Sequence, residues 1–354
     1  MPWQPWRNGE KLEDGKFCQT PKDLSQLTVI IPARNEADFI GITISALIRQ
    51  GSNLNIIVVD DDSSDSTVEI ATQFSESSLK LIQSKPLPKG WTGKLWAQQQ
   101  GLSHVKTPYV LLLDADIELV PNTINTVFNK LQKENLHFVS LMAKLRFTSF
   151  WEQLLMPAFI YFFKMLYPFR LSNESNSKVA SAAGGFIMVE TKVLKKIGGM
   201  AAIKNAIIDD CSLAHTIKSA GFRTWTGLTH LVISQRPYVN LHQIWDMVAR
   251  TAFTQLHYSS LLLLGCTIVM VIMYWVPLIG LLVWNGLPFL LCVFSCIGLS
   301  VSYLPTLQYY SLRKAWVVFM PAIAGLYLLM TWSSAIRYWR GDRTRWKGRV
   351  YKKV

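Results

Sequence analysis

The 354-residue sequence predicts an α/β domain on a mostly parallel sheet, followed by transmembrane α-helices. Three observations carry that expectation. Short, wholly apolar runs such as "NIIVV" and "YVLLL" alternate with helix-length stretches up to about Tyr258, the pattern of parallel strands covered on both faces by helices. Beyond Tyr258 charges nearly vanish and three apolar runs approach the roughly 20 residues that span a bilayer. Finally, two acidic clusters each follow an apolar run directly: "DDD", Asp60 to Asp62, and "DAD", Asp114 to Asp116.

Residues 1–26 read as an N-terminal extension. They are polar and aromatic, without the apolar core of a cleavable signal peptide, and the opening "PWQPW" leaves room for a membrane anchor ahead of it. From Leu27, "LTVIIP" is a strand ended by proline, and "EADFIGITISALIRQ" carries helical periodicity up to Gly51. "NIIVV" is the next strand, and "SDSTVEIATQF" the next helix, with Asp65 or Ser66 as N-cap. "LKLIQ", a helix in "KLWAQQQGLSHV", and the strand "YVLLL" complete the alternation before "DADIELVP".

The segments Leu261 to Val283, Leu287 to Leu304 and Ala315 to Ile336 lack a polar face, which argues against a buried soluble core and for spans within 259–336. The tail 337–354 holds eight Lys or Arg against one Asp, interleaved with Trp339 and Trp346. Basic and aromatic residues directly after an apolar segment suit anionic headgroups. The formal charge of +13 is therefore assigned to a membrane surface and not to nucleic acid. Three full spans would carry this tail to the far side of the membrane, against the positive-inside tendency, which keeps a re-entrant segment open as an alternative. The five cysteines form neither a zinc spacing nor a disulfide framework, in keeping with a cytoplasmic catalytic part, and none of the six histidines stands in a metal-binding spacing.

Ligands of open parallel sheets bind beyond the carboxyl ends of the strands, where both acidic clusters fall. Asp62 and Asp65 have an ordinary alternative as turn or helix caps. "DAD" is more specific, because Mg²⁺ and Mn²⁺ take oxygen ligands and commonly bind through one or two carboxylates plus substrate phosphates. Neither a GxGxxG nor a GxxxxGK[ST] is present.

In order along the chain, "VIIPARNEADFI", "IIVVDDDSSDST", "KGWTGKLWAQQQGL", "LLLDADIELVP", "AAGGFIMVETKVLKKIGGM" and "AIIDDCSLAHTIKSAGFRTW" resemble a family 2 glycosyltransferase of GT-A fold. The resemblance covers Leu27 to about Tyr258, and "GWTGKLWA" with "IDDCSLA" looks closest to the hopene-associated glycosyltransferase group, relatives of ceramide glucosyltransferase-like enzymes. It implies a nucleotide-sugar donor, UDP-linked, a divalent cation, and a lipid acceptor of hopanoid, other isoprenoid or sphingolipid-like kind. It places Ala33, Arg34 and Glu36 in the first donor-binding loop, Asp61 at the nucleotide base or ribose with Asp60 supporting it, and Asp62, where the family often has glycine, in solvent. Lys94 falls near the nucleotide, its alternative being an exposed helix lysine, and Gly184 and Gly185 beside the donor sugar. Asp114 and Asp116 are the metal-binding DXD pair, with Asp116 the direct ligand. Asp210 matches the catalytic base and Asp209 its tuning neighbour. A helix N-cap is the structural alternative for Asp210, and a carboxylate there ionises more easily.

The mechanism so implied is direct displacement with inversion at the anomeric carbon. Processive members carry QxxRW after the base, whereas this chain reads "IWDMVARTAF", with Trp245 and Arg250 left as candidate lining residues. Single transfer to a lipid is thus favoured over polymer synthesis, and a catalytically inactive scaffold of the same fold is the alternative from another class. One reaction needs Asp116 and Asp210 on one side of the membrane. The apolar stretch of about 151–170, interrupted by Pro157 and Lys164, is therefore expected as an amphipathic helix in the cytoplasmic interface of a bacterial-type inner membrane, not as a span.

Overall fold

Apolar runs with both faces covered fold here as strands of one twisted sheet. The computed structural model describes residues 3–13, 22–74, 78–346 and 349–352. The main sheet comprises β1 (Leu27–Ala33), β2 (Asn55–Asp60), β3 (Leu79–Gln83), β4 (Tyr109–Leu113), β5 (Ile117–Leu119), β6 (Phe138–Lys144), β7 (Phe186–Glu190) and β8 (Thr224–Ser234). Their spatial order is β3-β2-β1-β4-β7-β6-β8-β5. Four of the seven pairings are parallel and three antiparallel, so the sheet is mixed but mostly parallel. The helices that follow these strands in sequence are α1 (Ile40–Ile48), α2 (Thr67–Thr72), α3 (Gly93–Ser103), α4 (Thr123–Lys133), α5 (Phe150–Leu166), α6 (Phe169–Asn173), α7 (Thr191–Lys196) and α8 (Asp209–Ser219).

Alternate side chains of each strand enter opposite layers. Val29, Ile31, Val58 and Leu111 belong to one buried cluster, and Ile30, Ile57, Val59 and Leu112 to the other. Helix α3 lies so close to the sheet that a Cβ on Gly101 would stand 2.6 Å from Ile30 Cγ2. The antiparallel β7 was not foreseen as such, and it matters. Running against β4, with Phe186 opposite Leu113, it starts at the edge where β4 ends, which brings Gly184 and Gly185 beside the DAD loop.

The chain divides into two compact units, each discontinuous in sequence. The sheet unit is Gly9–Arg146 with Tyr167–Arg236; the other is Met1–Asn8 with Phe147–Leu166 and Pro237–Val354. The sheet unit thus ends at Arg236, well before Tyr258. The reason lies in α9 (Leu241–Ala249) and α10 (Ala252–Gln255), whose polar residues disguise them in sequence. Their apolar side bears the buried Ile244, Val248 and Phe253, and they fasten to the last helix through Arg337 Nη2 to Asp246 Oδ1 at 2.7 Å and the Phe253 amide to Ser334 Oγ at 3.0 Å. Trp245 and Arg250 fall in this second unit.

The rest of that unit contains three helices long and apolar enough to cross a membrane: Ser260–Val283, Leu287–Tyr309 and Lys314–Trp339. The first is α11 (Ser260–Met270) continued through a π-turn at Val271–Trp275 into α12 (Val276–Val283); Pro277, which has no amide hydrogen, follows the widened turn. The second, α13 (Leu287–Tyr309), runs five residues past the expected end at Leu304. The third enters through a 3₁₀ turn and becomes α14 (Met320–Trp339). Large apolar side chains on these helices are open, Leu282 being 85% exposed, as a lipid-facing surface requires.

Helix α5 differs from its sequence reading in two details. Pro157 lies inside it, and Lys164 does not reach an interface: it is 1% exposed, with its ammonium bonded to Asn8 Oδ1 at 2.5 Å and to the carbonyls of Trp6 and Arg7. Within this unit α5 joins the apolar helices through Tyr161 to Ser302 and through the Tyr327 hydroxyl, which donates to the Leu155 carbonyl. Its start is a reciprocal cap: Glu152 accepts from the Ser149 amide while Ser149 Oγ accepts from the Glu152 amide. In the basic tail, Asp342–Trp346 pairs antiparallel with Arg349–Lys352. Residues 347, 348, 353 and 354 of that tail, and residues 1, 2 and 14–21 of the N-terminal extension, lie outside the described residues.

Candidate active site

The sheet unit collects its acidic residues where parallel strands end. β2 closes in Asp60, which is buried and accepts from the Ser63 amide at 3.2 Å and from Gln83 Nε2 at 3.1 Å. Asp61 is also buried, beside Arg34, whose guanidinium bonds to the Asp61 and Asp62 carbonyls and stands 3.6 Å from the Asp62 carboxylate. Asp62 has a left-handed backbone, φ 61°, and a side chain 82% exposed. That accounts for its standing where glycine is common and places it in solvent. Ala33 is the buried last residue of β1. Asp65 turns back on Thr67 and on the Ala37 amide, which holds the loop around Glu36 against the start of α2.

Lys94, in the first turn of α3, is the hub of the opposite side. Its ammonium lies 2.8 Å from Asp114 Oδ1 and 3.5 Å from Asp209 Oδ2. Burial alone would lower its pKa, but the charges of Asp114, Asp209 and Asp210 outweigh this and raise it, so Lys94 is a fixed cation. Asp114 is pushed up by burial against the opposing charge of Lys94. Helix α8 begins with Asp209 and Asp210 after Ile208, so Asp210 occupies the first turn and is not the N-cap. Asp210 Oδ1 accepts from the Cys211 amide at 2.7 Å.

The expectation that a helix N-terminus keeps Asp210 easily ionised is corrected here. Burial, and then the adjacent Asp209 charge, push its pKa up to about 7, beyond what the backbone amides and Lys94 recover. Gly184 closes this corner: a Cβ there would sit 3.2 Å from Lys94 Nζ and 3.4 Å from Asp210 Oδ2. A small cavity lined by Lys94, Gln98, Gly184, Asp209 and Asp210 lies at the same point. Gly185 supports the DAD loop instead, its carbonyl accepting from the Asp114 amide at 3.2 Å.

Arg236 was missed in the sequence. Its Nε donates to Asp116 Oδ2 at 2.8 Å, and its Nη2 to both Glu36 oxygens at 2.8 Å each. Asp116 and Glu36 are both buried. Its place follows from the pairing: β8 runs parallel to β6, so Gln235 and Arg236, just past its end, occupy the same sheet edge as the two acidic clusters. Charges thus run in series from Glu36 through Arg236 to the DAD loop, and from there through Lys94 to Asp209 and Asp210. His104, His215 and His230 pair instead with Lys80, Ser219 and Glu13.

Asp114 and Asp116 fit a divalent cation in kind and number. Each commits one oxygen to a basic side chain, while Asp114 Oδ2 and Asp116 Oδ1 take no hydrogen bond from the described residues. No group of three or more His, Cys, Asp or Glu side chains able to hold a metal occurs among the described residues. A cation here would depend on phosphate oxygens to complete its shell, which is ordinary for Mg²⁺ and Mn²⁺.

Residues 28–198 match the family described as Glycosyl transferase family 2. The match takes in just under half of the chain. It contains all of β1 but Leu27, β2 to β7, the DAD loop and both glycines, while Asp209, Asp210 and Arg236 follow it. The chain is 32% identical over 107 residues to 4,4'-diaponeurosporenoate glycosyltransferase of Staphylococcus aureus, a match over 30% of this chain and 28% of that relative's length. Its fold is similar to that of a mannosyltransferase from Pyrobaculum calidifontis solved with GDP-Man and Mn²⁺, with a TM-score of 0.51, 18% identity, and coverage of 89% of this chain and 90% of that one. The mixed sheet with following helices is accordingly a GT-A fold.

Proposed function

We propose that this protein is a membrane-bound, non-processive, inverting glycosyltransferase. It moves a sugar from a nucleoside-diphosphate donor, UDP-linked, to a hydroxyl of a lipid acceptor of isoprenoid, hopanoid or sphingolipid-like class. The observation that carries this reading is the Lys94 ammonium, which brings the DAD loop and the Asp209–Asp210 pair into one crevice within the family 2 fold. Three helices long and apolar enough for a bilayer, and the partial match to a glycosyltransferase named for a carotenoid acid, support a lipid acceptor.

In this reading Asp61 and Arg34 form the nucleotide end of the crevice, with Asp60 holding their turn. Lys94 presents a permanent positive charge to the diphosphate. Asp114 and Asp116 would hold a divalent cation, which, when bound, neutralises charge on the leaving diphosphate. Asp210 removes the acceptor hydroxyl proton as the oxygen attacks the anomeric carbon. Burial and Asp209 keep that carboxylate basic enough for this work near neutral pH. Gly184 leaves the space between Lys94 and Asp210 open for the sugar. The sheet unit lies in the cytoplasm in this account, and 151–170 serves it as a membrane-associated helix, not as a span.

Membranes containing the protein, incubated with a panel of labelled nucleotide sugars and then extracted with organic solvent, test the proposal. A labelled lipid formed from one donor is expected. Donor hydrolysis alone, or a water-soluble labelled polymer, would refute lipid transfer.

A further inference from the structure

We infer that Arg236 is the positioning residue of the donor site, aiming Asp116 at the cation and locking the first donor loop to the DAD loop; this rests on the function proposed above. One planar guanidinium serves two buried carboxylates from distant parts of the chain. Nε holds Asp116 Oδ2 at 2.8 Å, and Nη2 is shared by both oxygens of Glu36 at 2.8 Å. The Phe39 ring lies 5.4 Å from the guanidinium carbon, and the Gln235 amide donates to the Asp116 carbonyl at 2.8 Å. Asp116 is therefore fixed at its backbone and at one carboxylate oxygen, which leaves Oδ1 as the ligand atom.

This arrangement separates the two acids of the DXD pair. Asp114 pairs with Lys94, whose four-carbon stem allows its ammonium to follow an arriving phosphate. Asp116 pairs with a rigid fork that is itself anchored on Glu36. A lysine at 236 retains the positive charge between Glu36 and Asp116 but supplies one donor point in place of the fork. Orientation and charge are thus separable by experiment.

The test uses the full-length protein in detergent, with Mn²⁺ and UDP as probes. Free Mn²⁺ is titrated by electron paramagnetic resonance in the presence of UDP, alongside thermal unfolding. Arg236→Lys should retain its unfolding transition yet bind Mn²⁺ about tenfold more weakly, the lower end of the usual cost of losing a group that orients a metal ligand. Arg236→Gln should be at least as weak, and Glu36→Gln, which removes the anchor but leaves Arg236, should fall between wild type and Arg236→Lys. In transfer assays the donor KM should rise more than kcat falls. Unchanged or tighter Mn²⁺ binding by folded Arg236→Lys would overturn the inference while leaving the proposed function intact. Failure of the wild type to bind Mn²⁺ with UDP would overturn both.

Discussion

Asp210→Asn isolates the proton-accepting step. The amide has the size of the carboxylate, and its carbonyl oxygen preserves the bond from the Cys211 amide, 2.7 Å in the native chain. Lys94 retains Asp114 and Asp209 as ion-pair partners, so its ammonium stays held on the donor side of the crevice. What disappears is the proposed base, a carboxylate whose pKa burial and Asp209 push up to about 7. Removal of a general base costs about 10² to 10⁴ in rate, or about 2.7 to 5.4 kcal/mol of transition-state stabilisation. The upper half of that range is expected, because the adjacent Cys211 is buried and Asp209 is tied to Lys94, so neither is placed to substitute. Calorimetry should give an unchanged donor affinity, and steady-state assays a kcat reduced by three to four orders of magnitude, on the order set by general-base losses.

The pH profile gives the same reasoning a sign. On the proposed mechanism Asp210 works as the anion, and with its pKa raised wild-type kcat should be full above about pH 7 and fall about tenfold per unit as pH drops below it. Asp210→Asn should lose this limb. Residual activity within a few-fold of wild type, or a larger loss from Asp209→Asn, would refute the assignment.

Asp116→Ala should abolish Mn²⁺-dependent donor binding in calorimetry, since no other acid in that turn replaces its ligand oxygen; unchanged affinity would remove the metal role. Gly184→Ala should depress transfer at least tenfold, because its Cβ would stand 3.2 Å from Lys94 Nζ and 3.4 Å from Asp210 Oδ2, where the proposal puts the sugar; wild-type activity would show that the sugar lies elsewhere. Cysteines replacing Leu145 and Ser175 should both label from the cytoplasmic side, since α5 lies between them in sequence and is proposed to lie on the membrane without crossing it. Labelling from opposite faces of the membrane would exclude a single site made of Asp116 and Asp210.

The parts of this fold that were legible in the sequence are those set by local patterning. Strands buried on both faces announce themselves as continuous apolar runs, so the placement of Asp60, Asp61, Asp114 and Asp116 at or just past strand ends on one sheet edge was legible without pairing information. Long-range decisions were not legible. Nothing local in "FIMVE" shows that it inserts antiparallel between β4 and β6, and nothing in "LHQIWDMVA" reveals that its apolar side belongs with the last helix. Lys164 looked like an interruption because its partners, Trp6, Arg7 and Asn8, lie more than 150 residues away. Arg236 follows from the same cause: it stands at the edge of the aspartates only because Thr224–Ser234 runs parallel to β6, a pairing that its own residues do not announce.

The most direct measurement is the anomeric configuration of the transferred sugar. Wild-type membranes given the accepted α-linked, ¹³C-labelled nucleotide sugar should yield a lipid whose proton–carbon coupling identifies a β-glycoside, and Asp210→Asn membranes should yield none. An α-glycoside, or β-product at an undiminished rate from Asp210→Asn, would contradict direct displacement with Asp210 as its base.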